Sequence, residues 1–112
     1  MLVEQQATIS VSDNVIHCRG AWTLPNVTEL ERRSKTLRWP DAPEVLCDAG
    51  EVTAMDTGGA LLLYRNIERL RRAGRSVSLH GLKPEFVELV RLIETSASHT
   101  QVADIRRVGW AT

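Results

Sequence analysis

The sequence predicts an α/β domain whose mixed β-sheet combines an N-terminal hairpin with parallel strands and is flanked by helices, in the order β-β-α-β-α-β-α. Two observations predict this class. The hydrophobic pattern switches repeatedly between a period of two and a period near 3.6 residues. After the first two predicted strands, helices and strands alternate, which is typical of crossover units with parallel pairing. The 112 residues, 43% of them hydrophobic, fit a single globular domain.

The first two strands are predicted to form a hairpin. Ala7, Ile9 and Val11 alternate with polar residues, as expected of a half-buried strand. A turn-forming Ser-Asp-Asn run follows at positions 12–14, and the segment from Val15 to Gly20 is typical of a second strand.

A first helix and a short buried strand come next. Thr23 or Asn26 can cap the helix, and two prolines in the segment 39–43 cannot continue it. Its apolar positions share one face: Val27, Leu30 and Leu37. The apolar run within the segment 44–48 predicts a buried strand that ends at Asp48, with a compact loop after it.

The second half of the chain is predicted to alternate in the same way. A long helix runs from about Gly58 to Ala73 and ends at Gly74, a suitable left-handed residue. Ser76 to His80 alternates as a strand.

The third helix opens at Pro84 and carries its own apolar stripe. From Thr95 onward the chain turns small and polar, and the hydrophobic pattern weakens. We therefore expect a domain over residues 1–98, with residues 99–112 as a C-terminal tail or linker.

Composition and charge exclude several classes of protein. The 14 Lys and Arg residues balance the 14 Asp and Glu residues, which argues against a nucleic-acid binder. No apolar stretch approaches the ~18 residues of a membrane span, and nothing resembles a secretory signal. Cys18 and Cys47 are expected to be buried thiols in a reducing compartment. The spacing of His17, His80 and His99 does not suggest a metal site, so we expect neither a metal nor a cofactor.

The candidate functional residues lie at the start of the long helix. The run Asp56-Thr57-Gly58-Gly59 places an acid, a hydroxyl and two glycines where free backbone N–H groups can stabilise an anion. The alternative is structural, with Asp56 or Thr57 capping the helix and the glycines allowing a tight turn. Asp48 and Asp56 could form an acid/base pair, but no second motif supports hydrolysis. We therefore predict no catalytic residues and no enzyme.

The long helix carries more apolar residues than one core-facing stripe needs. The stripe itself has four members: Ala60, Leu63, Ile67 and Leu70. Three further residues lie partly off it: Leu61, Leu62 and Tyr64. Either a second layer of packing covers these three, or they form an exposed patch that marks a protein interface.

Arginines recur on the same helix at helical spacing, at Arg65, Arg69 and Arg72. A solvated helix face is the default interpretation of such a group. The alternative is contact with an acidic partner or with anionic lipid heads, since arginine favours planar, bidentate contacts.

These residues, in this order, resemble the STAS family, the domain shared by sulphate transporters and anti-sigma factor antagonists. The resemblance covers about Ala7 to Ile93. Its most specific part is the apolar strand ending in Asp48, then the pattern Val52-x-x-Met55-Asp56-Thr57-Gly58-Gly59-Ala60-x-Leu62-Leu63. The resemblance implies a β-sheet flanked by helices, no catalytic activity, and partner binding through the loop and helix after Asp56.

The segment Gly20-Ala21-Trp22-Thr23-Leu24 is similar to the variety of this domain in lipid ABC transport systems of the maintenance-of-lipid-asymmetry type. There the domain is a small cytoplasmic subunit or an N-terminal extension of the permease. Residues 106–112 look like the lead-in to the permease's first membrane-associated helix. The resemblance thus implies regulation or assembly of a phospholipid transporter through docking on its ATPase subunit. Membrane contact would come only through a permease partner or a continuation of the chain.

The alternative that the resemblance leaves open is an anti-sigma factor antagonist that binds an anti-sigma kinase. Phosphorylated antagonists have Asp-Ser-Ser-Gly, and their kinase acts on the second hydroxyl residue. Here Gly58 holds that position and Thr57 matches the first hydroxyl, so Thr57 is expected to be a contact residue rather than an efficient phospho-acceptor. The expected partner-binding residues are Asp56, Thr57, Gly58, Gly59, Leu61, Leu62 and Arg65.

Overall fold

The computed structural model describes the backbone of residues 6–108 and the side chains of residues 6–96. Its element order confirms the predicted β-β-α-β-α-β-α arrangement of a four-stranded sheet and three helices. The elements are β1 (Ala7–Ser12), β2 (Val15–Trp22), α1 (Leu24–Thr36), β3 (Glu44–Met55), α2 (Thr57–Arg72), β4 (Ser76–His80) and α3 (Pro84–Val108).

The sheet has the order β1-β2-β3-β4, with one antiparallel and two parallel pairings. β1 and β2 form the predicted hairpin, in which Ser12 pairs with Val15 and Asp13 adopts a left-handed φ of 57°. β3 pairs in parallel with both β2 and β4, so that Val45 lies opposite Val77. Helices α1 and α2 are the two crossover connections, and they therefore run in the same direction.

β3 is longer than the sequence predicts, and the expected loop after Asp48 is wrong. The strand continues to Met55, with Ala49 and Val52 buried in the core. Its register with β2 shifts twice, so β3 accommodates two more residues than β2 over the same stretch. The extra residues break the alternation of period two, which is why the pattern appears to end at Asp48. The carboxyl end of β3 therefore leads directly into Asp56.

The core lies between one face of the sheet and the helices. Cys18 and Cys47, on β2 and β3, are both buried there as predicted, with their sulfur atoms 3.9 Å apart. The hydrogen bond with Cys47 and the burial of the site raise the pKa of the Cys18 thiol well above its ordinary value. The opposite face of the sheet is solvated, and it presents Ser10, Asp48 and His80 in one cross-strand row with His17.

The end of α2 and the start of α3 lie where the sequence predicts them. Gly74 has a φ of +90° just after the end of α2, as the left-handed C-terminal residue should. α3 opens at Pro84 and runs past residue 98 to Val108, so the predicted boundary between domain and tail falls inside a helix and stays a prediction.

Residues 109–112 of the predicted lead-in segment lie outside the described residues. Of the helices described, none has the length and apolar character needed to cross a membrane.

Candidate protein-docking surface

The carboxylate of Asp56 joins the N-termini of two helices. Asp56 occupies the N-cap position of α2, and its Oδ1 accepts a hydrogen bond from the backbone N–H of Gly59 at 3.0 Å. Its Oδ2 accepts a second one from the N–H of Leu24, the first residue of α1, at 2.7 Å. Thr23, at the N-cap position of α1, makes no side-chain capping bond, so Asp56 supplies the cap that Thr23 or Asn26 was expected to provide. Asp56 thus caps α2 as the structural interpretation predicts, and its role in partner binding stays a prediction.

Asp56 is a fixed negative charge. Partial desolvation acts to raise its pKa, but the backbone N–H groups of Leu24, Gly59, Gly58 and Asp56 itself together outweigh this and lower the pKa below the ordinary value. Asp48 lies eight residues before Asp56, on β3, and strand geometry with the two register shifts places it roughly 20 Å away. Its carboxylate is exposed and accepts a bond from the N–H of Gly50. An acid/base pair formed by Asp48 and Asp56 is therefore ruled out by their separation.

The two glycines after Thr57 have different structural roles. Gly59 is buried where α2 crosses the end of β2, and an added Cβ would lie only 1.7 Å from the carbonyl oxygen of Trp22. Gly58 lies beneath the start of α1, where an added Cβ would come within 3.1 Å of Cδ1 of Leu24 and 3.4 Å of Cγ2 of Val27. Gly59 therefore lets the two elements approach closely, whereas Gly58 lies under the exposed side chain of Leu24 and the half-buried side chain of Val27.

Three of the predicted site residues share the outer face of α2. Thr57, Leu61 and Arg65 follow one another at intervals of four residues, which places them in one row along the helix. Thr57 and Arg65 are exposed, and Leu61 is half-buried. This row begins at the N-terminus that Asp56 caps.

The expectation that Leu62 and Tyr64 extend an exposed apolar patch is wrong. Leu62 is 4% exposed and Tyr64 is 8% exposed, and Leu62 belongs to the core cluster. The physical reason is that α2 packs against α1 on one side and against α3 on the other, as well as on the sheet. Its buried arc is therefore wider than a single stripe, and of the three off-stripe residues only Leu61 reaches the surface.

Leu24 is the residue that the sequence analysis missed. Its side chain is 67% exposed, against Gly58, although it is a large apolar residue. Its position three residues before Val27 places it on the apolar side of α1, so periodicity gives no sign of its exposure. The candidate docking surface accordingly consists of Leu24, Val27, Thr57, Gly58, Leu61 and Arg65.

The other arginines of α2 are held by contacts within the domain. The Arg69 guanidinium lies 5.8 Å from the centre of the Trp39 ring. Arg75, which follows α2 in the chain, bonds the carbonyl of Pro40 and pairs with Asp41. Arg71 and Arg72 pair with glutamates. Within residues 6–96, Arg65 alone among the α2 arginines has no ion pair, no side-chain hydrogen bond and no contact with an aromatic ring. It is therefore the cation of α2 that is available to a partner.

The exposed apolar, hydroxyl and cationic groups of this docking surface are the kinds of group that protein-interaction domains present to a partner. A family model described as "Mlab, STAS domain" matches residues 6–97. The chain therefore belongs to the STAS family, whose domains generally mediate protein–protein interaction without catalysis. No curated protein matches the chain.

Proposed function

We propose that this STAS domain regulates or assembles a phospholipid ABC transporter by docking on its ATPase subunit through the candidate docking surface. The observation that carries the proposal is Leu24, a large apolar side chain held two-thirds exposed beside Gly58. An apolar centre with a polar rim is the usual anatomy of a protein interface. The domain would act at the cytoplasmic face of the inner membrane and reach the membrane only through a permease.

The surroundings of Gly58 favour a transporter partner over a phosphorylation switch. In phosphorylated antagonists the position that Gly58 matches carries the hydroxyl that the kinase modifies. In this chain even a Cβ at position 58 would crowd Leu24 and Val27. Thr57, the neighbouring hydroxyl, is exposed and lies at the N-terminus of α2, where it can bond a partner directly.

The test is a comparison of two partners and two matched variants. The full chain is co-expressed with the ATPase subunit of a lipid ABC system from its own genome, and separately with an anti-sigma kinase. Leu24→Asp places a charge in the proposed centre. Leu92→Asp is the control, because Leu92 is 62% exposed on α3 and lies outside the docking surface.

We expect the wild type and Leu92→Asp to retain the ATPase in a pull-down. Leu24→Asp should bind at least about tenfold more weakly, equivalent to roughly 1.4 kcal/mol, while its circular dichroism spectrum stays that of the wild type. Retention of the ATPase by a folded Leu24→Asp variant would place the interface elsewhere. Capture of the anti-sigma kinase instead would favour the antagonist function.

A further inference from the structure

A buried polar pair connects α1 to α2 below the docking surface. Ser34 on α1 and Asn66 on α2 are 1% and 3% exposed, and they are the two buried polar residues of the described part of the chain. The side-chain amide Nδ2 of Asn66 donates a hydrogen bond to Oγ of Ser34 at 3.1 Å. The Ser34 hydroxyl in turn donates to the carbonyl of Leu30 at 2.9 Å.

One polar atom of this pair lacks a hydrogen-bond partner, so the pair is not explained by a contribution to the stability of the fold. Among the described residues, the buried Oδ1 atom of Asn66 has no hydrogen-bond partner. A desolvated amide oxygen that lacks a donor destabilises the fold, whereas an apolar side chain of similar shape would remove that cost. In other proteins, buried polar residues of this kind fix which of several helix packings is adopted.

The Ser34–Asn66 pair and the Asp56 cap each connect α1 to α2 at corresponding levels of the two helices. Ser34 follows Leu24 by ten residues along α1, and Asn66 follows Asp56 by ten residues along α2. Because the two helices run in the same direction, both cross-links join equivalent levels, about 15 Å apart along the axes. One cross-link would leave α1 free to slide or pivot against α2, but two fix its register.

We propose that Asn66 and Ser34 are positioning residues that fix the register of α1 on α2 and so hold Leu24 above Gly58. The effect on docking rests on the proposed function. The effect on register can be tested without a partner, because the hydrogen bond from the Leu24 N–H to Asp56 depends directly on the register of the two helices.

The main variant is Asn66→Leu, which removes the amide and its unpartnered oxygen. Full-length protein labelled with ¹⁵N is examined by amide hydrogen exchange and chemical shift, and its melting temperature is measured by circular dichroism. The matched control is Ile67→Val, a conservative change at the next position, which is also buried. The reciprocal double variant Ser34→Asn/Asn66→Ser restores a polar pair and serves as the rescue.

In Asn66→Leu we expect an unchanged or higher melting temperature, together with at least tenfold faster exchange of the Leu24 amide relative to other helical amides. The Ile67→Val control should lower the melting temperature and leave the relative exchange at Leu24 unchanged. The reciprocal variant should recover protection at Leu24. Binding to the ATPase should weaken several-fold in Asn66→Leu.

Unchanged protection at Leu24 in the folded variant would overturn the proposal. So would a lower melting temperature with uniformly faster exchange, since that is the signature of a purely structural role. If leucine prevents folding, Ser34→Ala replaces it, with the same ratio of Leu24 exchange to neighbouring exchange as the criterion. If the wild type does not bind the ATPase, the proposed function fails, and the exchange data still decide the register proposal.

Discussion

At the residue scale, the carboxylate of Asp56 accepts backbone hydrogen bonds from α1 and α2 at once, from Leu24 and from Gly59. An aspartate at an N-cap was foreseeable from the sequence, because an acid before a helix commonly caps it. Its bond to Leu24 was not, since the two residues are 32 positions apart and only the tertiary structure brings them together.

This double cap leads to a pH-dependent prediction. The pKa of Asp56 is lowered in the folded protein, so its ionisation stabilises the fold above the unfolded-state pKa of about 4. That stabilisation is lost as the pH falls through the folded-state pKa. Asp56→Ala should lower the free energy of unfolding by about 1–2 kcal/mol at pH 7, and the difference from the wild type should shrink by pH 3. Urea unfolding at both pH values measures this.

The control for Asp56 is Asp48→Ala, which removes an exposed carboxylate whose described bond is to the nearby Gly50. It should change the free energy of unfolding by less than Asp56→Ala does at pH 7. A difference between wild type and Asp56→Ala that stays constant down to pH 3 would contradict the role assigned to the charge.

At the element scale, the sequence predicted the element order, the hairpin and the bounds of β4, because each depends on local periodicity and turn residues. It misplaced the end of β3, because the two register shifts against β2 hide the alternation beyond Asp48. It also left open which residues of α2 are covered. That depends on two neighbouring helices, and a single-helix pattern carries no information about them.

Substitutions of the adjacent residues Leu61 and Leu62 test whether neighbouring helices cover both sides of α2. Leu62→Asp should unfold the domain or lower its free energy of unfolding by about 3 kcal/mol or more, because the charge would be buried without a partner. Leu61→Asp should stay within about 1 kcal/mol of the wild type, since Leu61 is only half-buried. Chemical denaturation followed by circular dichroism compares them. Leu62 lies in one row with Gly58 and Asn66, so a stable Leu62→Asp variant would mean that α1 does not cover this side of α2.

At the scale of the whole molecule, the formal net charge of zero means that no strong overall field steers a partner towards the domain. Any electrostatic guidance must come from local groups. Among the arginines of α2, only Arg65 is available for this, since Arg69, Arg71 and Arg72 are engaged within the domain. Of the surface predicted from the sequence, the row Thr57, Leu61 and Arg65 stays a candidate for docking, and α1 adds Leu24 to it.

The last prediction concerns the rate at which the ATPase subunit associates. Rim charges act mainly on association, so Arg65→Glu should lower the association rate constant several-fold while the dissociation rate constant changes little. The effect should fade near 0.5 M salt, where the screening length falls to a few ångströms. Arg91→Glu makes the same change of charge on α3, at an exposed arginine outside the docking surface, and should leave association close to the wild-type rate. Surface plasmon resonance at two salt concentrations measures both variants. Equal slowing by the two would mean that total charge, rather than the position of Arg65, governs the encounter.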